Sequence, residues 1–81
     1  MAELLISDIY MKIDFYQEVE VVPEAKHKKY VGCKGVVLGI SEENEIIYGY
    51  SVILHGKETT VYFEKDDLEP TGIVFKREDF Y

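Results

Sequence analysis

Apolar and polar side chains alternate along most of the chain after residue 14, and a period of two is typical of half-buried β-strands. In residues 15–22, Val19 and Val21 fall on one face while Glu18 and Glu20 fall on the other. Residues 46–54 and 58–64 alternate in the same way. The apolar face predicted for residues 46–54 carries Ile46, Tyr48, Tyr50, Val52 and Leu54. The pattern therefore predicts strands, and no helical periodicity follows residue 14.

Three glycines interrupt the apolar run at residues 32–40, between two of these strands. Isolated glycines in a strand pattern mark a bulge, a tight bend or a close approach of another backbone. We therefore expect a short, strongly curved strand here, with Val36, Leu38 and Ile40 pointing to one side.

Turn signals divide the remaining segments. Residues 41–45 form a polar hairpin loop, residues 55–57 a tight turn around Gly56, and residues 65–68 a single turn of 3₁₀ helix before a last strand at residues 73–75. This order predicts an all-β fold, a five-stranded SH3-like barrel over residues 15–81. Its predicted core consists of Val19, Val21, Val36, Leu38, Tyr50, Val52, Val61, Phe63 and Leu68.

Residues 1–14 form a separate N-terminal extension that is too apolar for a disordered tail. Ile6, Ile9, Tyr10 and Ile13 fit a helical face, but Ser7 and Asp8 interrupt a short segment. A short helix and an added edge strand both fit, and in either case we expect the extension to pack on the barrel.

Composition narrows the class of partner. The 81 residues suffice for one small domain, and 16 acids against 9 bases give a net charge of −7. Nucleic acid and anionic membrane surfaces would repel such a chain, so the charge favours a basic partner or serves solubility alone. A single cysteine and the absence of a signal peptide or a long apolar run predict a cytoplasmic protein without a membrane span.

The sequence contains no recognisable catalytic or metal-binding pattern. His27 and His55 are the only histidines, and neither has a cysteine or second histidine at ligand spacing. Cys33 has no base nearby in sequence that could activate it. We therefore predict no enzyme activity, no metal and no cofactor.

Acidic residues concentrate in residues 41–69, which hold eight acids and two bases. One cluster lies on the predicted hairpin and the other around the 3₁₀ turn, next to a tyrosine whose place opposite the apolar face suggests an exposed interface anchor. A solvated rim is the alternative. The predicted contact residues are Glu42, Glu43, Glu45, Tyr62, Glu64, Asp66, Asp67 and Glu69.

Residues 14–81 resemble immunity-protein family thirty-one of bacterial polymorphic-toxin systems. The resemblance rests on residues 15–21, on residues 35–41, on the tyrosine-rich strand and on residues 67–72. It implies a small β protein that protects its own cell by binding and blocking a cognate secreted toxin. It supplies no catalytic residues, and the acidic clusters would then face a basic surface of the toxin.

A second resemblance is to the KOW-type SH3-like modules of transcription and ribosomal proteins, carried by Gly32, Gly35, Val36 and Gly39. Those modules usually carry basic patches for RNA. In this chain the corresponding bases are Lys26, Lys28, Lys29 and Lys34, set against an acidic remainder. This resemblance implies a module associated with the transcription or translation machinery.

Overall fold

The computed structural model describes residues 13–79, and the predicted helix or strand before Ile13 lies outside this range. Five strands account for most of the described chain, which confirms the all-β prediction. They are β1 (Gln17–Val21), β2 (Lys34–Glu43), β3 (Ile46–Leu54), β4 (Thr60–Glu64) and β5 (Leu68–Val74). Single 3₁₀ turns occur at Lys28–Tyr30, Lys65–Asp67 and Arg77–Asp79.

The strands form one antiparallel sheet in the order β4-β3-β2-β1-β5. Strand β2 pairs with β1 only through residues 34–36, whereas its pairing with β3 runs from Gly35 to Glu43. It therefore belongs to two layers, β5-β1-β2 and β2-β3-β4. This strand order, with a 3₁₀ turn between the last two strands, is that of the predicted SH3-like barrel.

The core fills the space between the layers with valines and two large aromatic side chains. Phe63 is fully buried and Tyr50 is 5% exposed. Seven of the nine predicted core residues are buried, and Val61 packs against them while half-buried. The buried cluster consists of Ile13, Val19, Val21, Ala25, Val37, Tyr50, Val52, Leu54, Phe63 and Leu68.

Leu38 is the exception, because β2 contains an irregularity that the sequence pattern does not reveal. Val37 pairs with Val52, but the next paired residue is Gly39, so Leu38 is an extra residue in the ladder. Alternation reverses across such a bulge. Consequently Val37 and Ile40 pack on the core, and the prediction of Val36, Leu38 and Ile40 on one face was wrong.

A second irregularity lies near the start of β3. Ser41 pairs with Gly49 and Glu42 with Ile47, which leaves Tyr48 as the extra residue. Ile47 packs against the core, while Ile46 and Tyr48 are 52% and 48% exposed. The prediction that these two share the buried face of β3 was therefore also wrong.

Candidate functional site

The hairpin between β2 and β3 presents three carboxylates at one end of the molecule. Asn44 and Glu45 form its two-residue turn and have φ angles of 52° and 67°. Two-residue hairpin turns with two positive φ angles favour glycine at the second position. Glu45 occupies that position, so its backbone is held in an unfavourable conformation. Glu42, Glu43 and Glu45 are all exposed, and within residues 13–79 no ion pair engages them. We call these three residues the acidic hairpin.

The second acidic cluster is less available than its sequence suggests. Lys26 Nζ lies 3.0 and 3.2 Å from the two carboxylate oxygens of Glu64, which raises the pKa of Lys26. Both side chains are exposed, so the pair contributes little stability, but it offsets the charge of Glu64. Asp66 and Glu69 remain exposed.

Asp67 lies below the surface and is only 4% exposed. Its Oδ1 accepts a hydrogen bond from the Lys26 backbone at 3.2 Å, and its carbonyl accepts one from Val22 at 3.0 Å. These bonds tie the long loop after β1 to the 3₁₀ turn. The side chain of Asp67 therefore supports the fold and offers little surface for contact with a partner.

Tyr62 is 45% exposed on the outer face of β4. Its ring lies over Gly49, where a β-carbon would collide with the ring. Ile46 and Tyr48 follow the acidic hairpin directly in the chain and are also about half exposed, and Gly49 is the residue after Tyr48. We call Ile46, Tyr48 and Tyr62, the exposed apolar residues at this end of β3 and on β4, the apolar patch. Ile46 and Tyr48 could not be recognised as surface residues from sequence, because their exposure follows from the irregularity in β3.

A buried carboxylate on β1 joins β5 to the turn after β3. Glu18 is 7% exposed, and its two oxygens contact Thr71 Oγ1 and His55 Nε2, each at 2.7 Å. The hydrogen bond from Thr71, and next that with His55, hold the pKa of Glu18 below its usual 4.5. His55 itself is exposed in the turn after β3, with 49% of its side chain accessible, and its ring contacts this buried partner.

No family model matches the chain, and no curated protein and no solved structure matches it either.

The buried carboxylate and the exposed hairpin offer different chemistry. Glu18 lies between the hydroxyl of Thr71 and the ring of His55, so the histidine does not contact the hydroxyl as a base activating a nucleophile would. Among residues 13–79 no three side chains form a potential metal site. In the same range no helix has the length and apolar character needed to cross a bilayer. The exposed hairpin and its apolar patch are the candidate site.

Proposed function

We propose that this protein is a bacterial immunity protein that binds a cognate secreted toxin and neutralises it inside the producing cell. The acidic hairpin meets a basic face of the toxin, and the apolar patch beside it anchors the complex. The observation that carries the proposal is that three exposed carboxylates lie at the same end of the β2–β3 hairpin as exposed aromatic side chains. The resemblance described for residues 14–81 supplies the biological role.

The two parts of this surface contribute differently to binding. Carboxylates at an exposed rim raise the association rate by attracting a basic partner, and added salt screens that attraction. Exposed tyrosines provide the large contact area typical of residues that dominate interface energy. Tyr48 and Tyr62 are each nearly half exposed, so they can bury further surface on contact. The acidic hairpin thus sets the association rate, and the apolar patch sets how long the complex lasts.

Charge reversal of the acidic hairpin tests the proposal. A variant combining Glu42→Lys, Glu43→Lys and Glu45→Lys would be compared with the parent for association with the toxin encoded beside its gene. We expect the association rate at low salt to fall about tenfold or more. The difference should shrink at high salt, and the variant should no longer rescue cells that express the toxin.

A matched control separates the local effect from net charge. Glu24→Lys, Glu58→Lys and Glu78→Lys together change the charge by the same amount at exposed positions elsewhere. This control should keep most of the association rate and the rescue. Equal behaviour of the two folded variants would remove the hairpin from the site, and a parent that neither binds the toxin nor protects cells would refute the immunity role.

A further inference from the structure

The end of the β2–β3 ribbon away from the acidic hairpin contains a surface cavity of about 480 Å³. It lies between the 3₁₀ turn after β1, the start of β2 and the turn after β3. Its walls include Lys29, Tyr30, Cys33, Lys34, His55 and Lys57. Volumes of this size are typical of small-molecule sites.

The charge of this cavity is opposite to that of the protein. Three of the nine lysines and arginines in the sequence line it, and no described acidic residue does, although the chain has 16 acids. None of the three lysines forms an ion pair within residues 13–79. Several ammonium groups that line one cavity, with no carboxylate in its lining, favour an anionic ligand.

A second cavity of about 310 Å³ continues the first. The two share Lys29, Tyr30, Leu54 and Lys57, and the second adds Thr59 and Val61. The Tyr30 ring is held by an edge contact with Phe63 at 5.8 Å, and Lys29 Nζ lies 5.1 Å from its centroid. Apolar walls and a fixed aromatic ring suit a flat organic group. We call the two cavities together the basic groove.

We propose that the basic groove binds a small organic phosphate of about mononucleotide size. The phosphate lies at Lys34 and Lys57, and the flat part of the molecule lies along Tyr30, Leu54 and Val61. This site is separate from the acidic hairpin and does not depend on the proposed immunity role.

Cys33 provides a direct reporter, because it is the only cysteine in the sequence and it lines the groove. The experiment measures the rate at which neutral iodoacetamide alkylates Cys33, by intact mass, with increasing adenosine monophosphate as the probe. We expect saturable protection in the range of roughly 10 μM to 1 mM. Inorganic phosphate and adenosine should each protect only at higher concentration, since each fills one part of the groove.

Two variants locate the protection. Lys34→Gln with Lys57→Gln should raise the half-protecting concentration about tenfold or more, since two charged contacts to phosphate are lost. Lys65→Gln with Lys76→Gln removes the same charge at exposed positions elsewhere and should change it less than about twofold. For each variant, the alkylation rate with nucleotide is divided by the rate without it, so that any change in the intrinsic reactivity of Cys33 cancels.

Three results would overturn the proposal. The first is no protection by adenosine monophosphate up to about 10 mM. The second is equal weakening in both lysine variants, which would indicate nonspecific charge attraction. The third is much tighter, steeply salt-dependent protection by a ten-nucleotide oligothymidine, which would assign the groove to single-stranded nucleic acid. Protection by phosphate alone equal to that by the nucleotide would refute the place given to the flat group.

Discussion

At the scale of a single residue, Glu18 is notable as a charged side chain that is buried. A buried carboxylate is costly unless hydrogen bonds replace its water, and Thr71 and His55 supply those bonds from strand β5 and from the turn after β3. The contacts join segments 37 and 53 residues away from Glu18 in the chain. Glu18 therefore links β1 to β5 and to the turn after β3 through its charged form.

The lowered pKa of Glu18 makes stability depend on pH in a defined direction. Its ionised form is favoured by folding, so its contribution is fully present above the unfolded pKa of 4.5 and is lost as the pH falls through the folded-state pKa. Glu18→Gln should cost about 1–3 kcal/mol at neutral pH, as expected for bonds to a charged group. In urea melts the difference from the parent should be smaller at acid pH, below 4.5, than at neutral pH.

Glu58→Gln is the matched control, since Glu58 is exposed. It should leave stability within about 0.5 kcal/mol of the parent at either pH. A parent and a Glu18→Gln variant with equal stability at neutral pH would show that the buried carboxylate contributes nothing through its charge.

At the scale of the element, two glycines of β2 differ in how closely the neighbouring strand approaches them. Gly35 lies where β2 pairs with both β1 and β3, and a β-carbon there would lie 2.5 Å from the Ile53 carbonyl oxygen and 2.9 Å from Leu54 Cα. Both are backbone atoms that cannot move without disturbing β3. At Gly39 a β-carbon would approach only the Ser51 side chain, at 3.2 Å.

Alanine substitution at the two glycines should therefore have different effects on stability. Gly35→Ala should destabilise the protein by about 2 kcal/mol or more, since the strands must part to admit the methyl group. Gly39→Ala should change stability by less than about 1 kcal/mol, because Ser51 can adjust. Denaturant melts of the two variants test the ranking, and a Gly39 variant less stable than the Gly35 variant would contradict it.

At the scale of the whole molecule, the charges are segregated along the β2–β3 ribbon. The basic groove includes Lys34 at the first residue of β2, and the acidic hairpin begins near its last residue, Glu43. Ten residues of strand separate the two by roughly 30 Å, which exceeds a Debye length of about 8 Å at physiological salt. An acidic protein can therefore present one basic surface without neutralising it.

This separation predicts that the two sites act independently. Charge reversal of the acidic hairpin should leave the protection of Cys33 by adenosine monophosphate unchanged within about twofold. Lys34→Gln with Lys57→Gln should likewise leave the toxin association rate within about twofold. A loss of both properties in either variant would show that the two surfaces form one site or share a conformational change.

The sequence by itself determined the elements and their order. Alternation around Val19 and Val21 and in residues 46–54 marks strands, because one face of each must be apolar to form a core. The turn residues between them then restrict the pairing of successive strands to a few antiparallel arrangements. The acids of the hairpin were also predicted to lie on a polar loop, since residues 41–45 are all polar.

The tertiary structure decided which face each residue takes and which distant residues meet. A single extra residue in a strand, Leu38 in β2 or Tyr48 in β3, changes which of the following side chains face the core. Strand propensity does not predict where such an extra residue occurs. Burial of Asp67 depends on a loop 41 residues away. The lysines of the basic groove likewise converge only when the barrel closes, because side chains distant in sequence approach one another through strand pairing and the packing of the core.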